Sequence, residues 1–243
     1  MPTLSTLTRL FAAALAGIGV LQIIFQQVLI GRPSPIITIP TLILVAAILT
    51  AIALIACSVQ LWRGLTTRWL FLAISIFIFA YAGLPNLFMI VTHGDYGFAL
   101  TAFGKAITMG SAVLLFMNLT STDSPAWSYN LARICLGLFL VIGGVQHFLF
   151  ADFVKFLVPR WIPFDAFWTY AAGVALIASG LSLLSKIGIK LIAQLAGWMI
   201  FAWFIVLHIP RGIADPNPSE LTAICESLAF SMVSLTLSTL TKE

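Results

Sequence analysis

In a chain of 243 residues, 61% apolar and only 8% charged, a soluble globular domain is excluded, because such domains carry about a quarter of charged residues. The net charge of +4 is small and sits mainly between apolar runs, so it bears on orientation in a membrane rather than on nucleic-acid binding. The three cysteines, Cys57, Cys135 and Cys225, lie inside apolar runs with no CxxC pair and no adjacent ligand set. Neither a disulfide framework nor a metal site is expected from that spacing.

Taken in order, Arg9 precedes an apolar run, Leu10–Ile30. Ala12 to Ala16 give it some signal-peptide character, but a counterpart later in the chain marks it as a span. Gly31-Arg32-Pro33-Ser34-Pro35 reads as a loop. Runs follow at Thr41–Trp62, Trp69–Val91 and Gly97–Leu119, and the polar stretch Ser121–Asn130 reads as a linker. Four more runs come at Leu131–Phe150, Ala166–Leu184, Ile187–Ile209 and Glu220–Leu240. Each is about the length that crosses a bilayer as a helix. The expected fold is an all-α polytopic membrane protein with eight transmembrane helices.

The linker divides two similar halves, residues 1–120 and 131–243, with 121–130 between them. Arg9 matches Arg133, Gln22 matches Gln146, and Ala53-Leu54-Ile55-Ala56 matches Ala175-Leu176-Ile177-Ala178. Arg68 matches Lys190, and Leu100-Thr101-Ala102 matches Leu221-Thr222-Ala223. The common order of these matches is the signal. Four helices per copy give both halves one orientation, hence two parallel four-helix repeats about an axis along the membrane normal.

Lys and Arg set the expected topology. Arg9, Arg63, Arg68, Arg133, Lys186, Lys190 and Lys242 fall on the side of the termini, and Arg32, Lys155, Arg160 and Arg211 on the other. That excess places both termini in the cytoplasm. Trp62 and Trp69 then anchor the inner interface, and Trp161 and Trp168 the outer one.

The most unusual stretch is Gly143 to Asp165. Pro159 and Pro163 mark it as a connection between helices. Phe153, Phe156, Leu157 and Trp161 alternate with Asp152, Lys155 and Arg160, as in a segment lying at a membrane surface. From Arg133 to Arg211 the chain resembles the DoxX family of small four-helix membrane proteins. The residues that carry the resemblance are Gly144, His147 and Phe148, then Phe156, Pro159, Trp161 and Pro163, then Gly173, Gly180, His208 and Pro210. The first half fits only as a degenerate copy, with Ile23 at the place of His147 and Gly83 at that of His208. The resemblance implies a four-helix unit in the bacterial inner membrane. Some members look like quinone-linked oxidoreductase subunits or partners of soluble redox enzymes.

Two groups of residues are candidates for chemistry. His147, Arg160, Trp161, His208 and Arg211 share one interface and are expected to form a pocket for an anionic or quinone-like headgroup. Haem held by both histidines is a lesser reading. The plain alternative is that interfacial histidines and arginines meet only lipid. Gly137, Gly144 and His147 share a helical face that another helix can approach closely. Lys105 and Glu226 form the second group. They lie inside apolar runs at matching positions, Leu-Thr-Ala-Phe-Gly-Lys and Leu-Thr-Ala-Ile-Cys-Glu. Charges within a span face a bundle interior or a cavity, so an axis between the two fourth helices is expected to pair them. The stripe Ser227, Ser231, Ser234 and Ser238 reads as close helix packing.

Three functions stay open: a redox component using a quinone or a soluble partner, a transporter for a small molecule or protons, and a scaffold without a site. A pocket at the histidines favours the first. A continuous polar path between the halves favours the second, and a solid core the third.

Overall fold

The computed structural model describes residues 2–31, 38–119 and 126–241. Arg32, Pro33, Ser34, Pro35, Ser121 to Pro125 and Lys242, all used in the sequence reading, lie outside these residues.

The described residues form nine helices, eight of them long and apolar enough to cross a membrane. They are α1 (Leu4–Phe25), α2 (Pro40–Trp62), α3 (Arg68–His93), α4 (Phe98–Leu119), α5 (Ala126–Leu149), the short α6 (Ala151–Leu157), α7 (Asp165–Ser185), α8 (Ile189–Ala214) and α9 (Pro218–Leu240). Local chemistry sets their ends. The Thr3 hydroxyl accepts from Thr6 N at the start of α1, and Asn217 Oδ1 accepts from Ser219 N and Glu220 N at the start of α9. Pro40 and Pro218 stand at first-turn positions where the missing N–H costs nothing.

Several boundaries differ from the expected runs, each for a physical reason. The run Leu10–Ile30 is not one helix. Gln26 adopts a left-handed conformation (φ 54°) that stops α1 at Phe25, and Val28, Leu29 and Ile30 then tuck into the bundle and are buried. The Gln22 side chain holds this segment, accepting from Leu29 N and Ile30 N at 3.0 and 3.1 Å. At the linker, Ala126 to Asn130 already belong to α5. Pro210 does not end its helix either. α8 runs on to Ala214 through a π-helical segment, Phe204–His208, that immediately precedes Ile209-Pro210. In α3 the π segment Phe79–Gly83 likewise precedes Leu84-Pro85. A proline inside a helix removes one N–H and crowds the turn behind it, and a locally widened turn accommodates both.

Packing follows the small residues. α5 lies against α7 where Gly137 faces Gly180 and Gly144 faces Gly173. A Cβ on Gly144 would stand 2.7 Å from Gly173 O, and one on Gly180 would stand 2.5 Å from Gly137 O. α9 is laced to α8 by Ser231, Ser234 and Ser238, which donate to the carbonyls of Gly197, Ala193 and Lys190 at 2.8, 2.8 and 2.6 Å. The halves meet crosswise, with α1 packed on α9 and α4 on α5. Gly17 lies against Cys225 in the first contact, and Gly104 against Phe139 in the second. α4 and α9 run through the middle and are the most buried spans.

Candidate functional site

Both central helices carry a charge about two turns below the end where α4 begins. Lys105 Nζ donates to Glu226 Oε2 at 2.6 Å, with the Glu226 side chain 2% exposed and that of Lys105 14%. In an apolar surround each charge requires the other.

The pair lines a cavity of about 550 Å³ bounded mainly by α4, α5, α8 and α9, with Phe153 and Val154 of α6 and Leu176 of α7 completing the wall. Gln146, His147, Trp203 and His208 share its wall with Lys105 and Glu226, and the remainder is mostly apolar, including Phe139, Leu176, Ile200 and Phe230. A second cavity, of about 530 Å³, lies between α7, α8 and the connection after α6, lined by Val158, Pro159, Ile162, Trp168, Met199 and others. His147, Trp203 and His208 belong to the walls of both.

The chain positions these groups in different ways. His147 sits one turn past Gly143, and its Nδ1 lies 2.7 Å from Gly143 O. A carbonyl only accepts, so Nδ1 carries the proton and a neutral ring keeps its acceptor on Nε2. Trp203 stacks on this imidazole with centroids 6.5 Å apart and planes 20° off parallel. His208 is the last residue of the π segment of α8. Gln146 ties α5 to the start of α4. Its Nε2 donates to Tyr96 O and Gly97 O at 2.7 and 3.1 Å, and its Oε1 accepts from the Thr101 hydroxyl at 2.7 Å.

The sequence-predicted residues divide accordingly. His147 and His208 come together with Lys105 and Glu226 at one cavity, two groups that the sequence reading kept apart. Arg160 and Trp161 line neither cavity. They lie exposed on the connection, Trp161 at 71%, because that segment turns its large side chains outward; Phe156 is 80% exposed. Arg211 pairs with Glu220, in the first turn of the last helix, and is likewise absent from both walls. Trp203 and Gln146 were missed as site residues. Gln146 had shown itself only as the partner of Gln22 in the repeat, and Trp203 only as one more apolar residue. Among the described residues, no group of three His, Cys, Asp or Glu side chains is placed to hold a metal ion.

Residues 129–208 match the DoxX family model. The DoxX segment runs from the first turns of α5 to His208 and so supplies both histidines and Trp203. Lys105 and Glu226 lie outside the matched residues, one on each side. The cavity therefore joins the matched segment to the two central helices that flank it in sequence. Comparisons with curated proteins and with solved structures gave no match.

Proposed function

We propose that the two halves are parallel copies of one four-helix unit about a twofold axis between α4 and α9, and that they enclose a site for a quinone-like headgroup serving a membrane redox step. The observation that carries this reading is the shared wall: an intramembrane Lys–Glu pair and two imidazoles face one cavity. A quinone carbonyl calls for a hydrogen-bond donor, and the hydroxyl of its reduced form calls for a proton acceptor when it gives up its electrons. Lys105 supplies the first, and His147 Nε2 and the Glu226 carboxylate supply the second. The aromatic and aliphatic remainder of the wall suits the ring and chain of such a molecule. Lipid surrounds the spans, and a soluble redox protein is the natural electron partner at the interface. Haem is the lesser reading, with His147 turned so that Nε2 is its available ligand atom.

The repeat reading is supported by the crosswise contacts of α1 with α9 and α4 with α5, and by π segments ahead of Pro85 and Pro210. The placement is a bacterial inner membrane with both termini cytoplasmic, on the Lys and Arg distribution. The transporter reading is less favoured. Ser227 and Phe230 still face the cavity, but beyond them α9 is continuously buried from Ser231 to Ser238, where its serines are bonded to α8. The test is an absorption spectrum and lipid-extract analysis of the purified protein. Co-purified quinone is expected. An extract without quinone, from protein that also fails to bind added quinone, overturns the headgroup assignment, and a Soret band transfers the histidines to haem.

A further inference from the structure

The first half contains what the second half lacks. After α1 the chain dips into its bundle, and Val28, Leu29 and Ile30 are 5%, 8% and 1% exposed. The dip ends at Gly31, held at φ +69°, where a Cβ would stand 3.0 Å from the Cβ of Ala82 on α3 and 3.1 Å from that of Ala106 on α4. The space filled is therefore the one between α1, α3 and α4. In the second half the segment following the matching helix does not enter so deeply: Phe150, Phe153 and Val154 stand at the cavity wall, and no residue of α6 is buried. The counterparts of Ala82 and Ala106 in the paired sequences are Leu207 and Ser227; Ser227 lines the open cavity beside the Lys–Glu pair, and Leu207 lines the adjoining cavity that shares His147, Trp203 and His208 with it. The counterpart of Gln22, which holds the dipping segment by two backbone N–H groups, is Gln146, now bonded instead to the start of α4.

We infer that the cavity at Lys105 and Glu226 receives a methyl-branched hydrocarbon chain of the isoprenoid kind, in the place that the branched side chains of Val28, Leu29 and Ile30 fill in the other half. The inference rests on the paired-halves reading and names the tail, where the preceding section names the head. A unit built around branched aliphatic groups leaves a wide, irregular chamber when they are withdrawn. Such a chamber is filled by a chain with lateral methyl groups and left partly empty by a straight one of equal carbon count, and unfilled space forfeits dispersion contacts. The walls at Phe139, Leu176, Ile200 and Phe230 supply the apolar surface.

The test uses the full chain in detergent and native mass spectrometry to obtain dissociation constants for four probes: a benzoquinone with a geranyl chain, the same ring with a straight alkyl chain of equal carbon count, the ring without a chain, and geraniol. The geranyl compound is expected to bind about tenfold tighter than the straight-chain one, a difference of roughly 1.4 kcal/mol. That preference is expected to vanish in Ser227→Phe or, should that variant not fold, in Ala223→Phe, since either ring fills the chamber. Equal binding of the two chains overturns the inference while leaving the headgroup reading standing. Binding of geraniol without binding of the bare ring overturns the headgroup reading and sustains this one. A preference that survives the filling substitutions places the chain elsewhere and overturns the inference.

Discussion

Lys105 Nζ lies 2.6 Å from Glu226 Oε2, a contact that joins the last helix of the first half to the last helix of the second across 121 positions of sequence. Because Glu226 is nearly inaccessible, removing either partner strands a charge in a low-dielectric interior. Glu226→Gln is expected to destabilise the protein by roughly 3–5 kcal/mol, and Lys105→Met added to it is expected to recover part of that loss. Thermal unfolding in detergent across the double-mutant cycle checks this. Strict additivity of the two single changes would show that the contact contributes no coupling.

The glycine contacts between α5 and α7 give a sharper comparison. Gly144→Ala places a methyl group 2.7 Å from Gly173 O and 2.8 Å from Ile177 N. Backbone cannot yield as a side chain does, so a loss of about 1–3 kcal/mol is expected. Gly143→Ala, one residue away, meets only Leu176 Cδ1 at 3.9 Å and is expected to be neutral or slightly stabilising through its higher helix propensity. Melting temperatures that fall equally for both would remove the close-packing explanation.

Ser231, Ser234 and Ser238 each donate to a carbonyl of α8. Hydrogen bonds between membrane helices are worth about 0.6 kcal/mol on average, so the triple alanine variant is expected to lose roughly 2 kcal/mol. Ser227 donates within its own helix, to Ile224 O, and its alanine variant is expected to melt with the wild type. An unfolding scan in detergent reads both.

Topology is open to a direct measurement. Reporter fusions after Asn130 and after Glu243 are expected to be active as cytoplasmic markers, and one at Asp215, in the α8–α9 turn, as a periplasmic marker. A periplasmic reading at either of the first two positions removes the orientation assigned from Lys and Arg.

The spans were legible because hydropathy over bilayer length reads without tertiary information, and the Lys–Glu level was legible because a charge inside such a run stands out. The serine and glycine stripes were legible as packing for the same reason: small residues at helical spacing mean close approach. Other features depended on contacts that no local pattern reveals. Val28, Leu29 and Ile30 looked like the last turn of a span because burial in a bundle and burial in lipid select the same side chains. Trp161 looked like a pocket residue because its motif is shared with His147, yet the chain direction after Pro159 carries it away. Trp203 met His147 only through the arrangement of α5 and α8 around the cavity, and the cavity joining both candidate groups is a property of several helices at once.

The π segment at Phe204–His208 has a consequence for how the far end of α8 is aimed. A π turn accommodates one residue more than the α-helical turn it replaces, and each residue of an α-helix advances the direction of its side chain by about 100°. Were the segment to rewind as continuous α-helix with every residue kept, everything beyond it would rotate by about that angle relative to the part before. Arg211 would swing off Glu220, Gly212 would no longer face Ile224, and His208 would leave the chamber wall. The widened turn, by absorbing its surplus residue, thus keeps the two ends of α8 in phase with different neighbours, the serine-laced lower part with α9 and the upper part with the cavity.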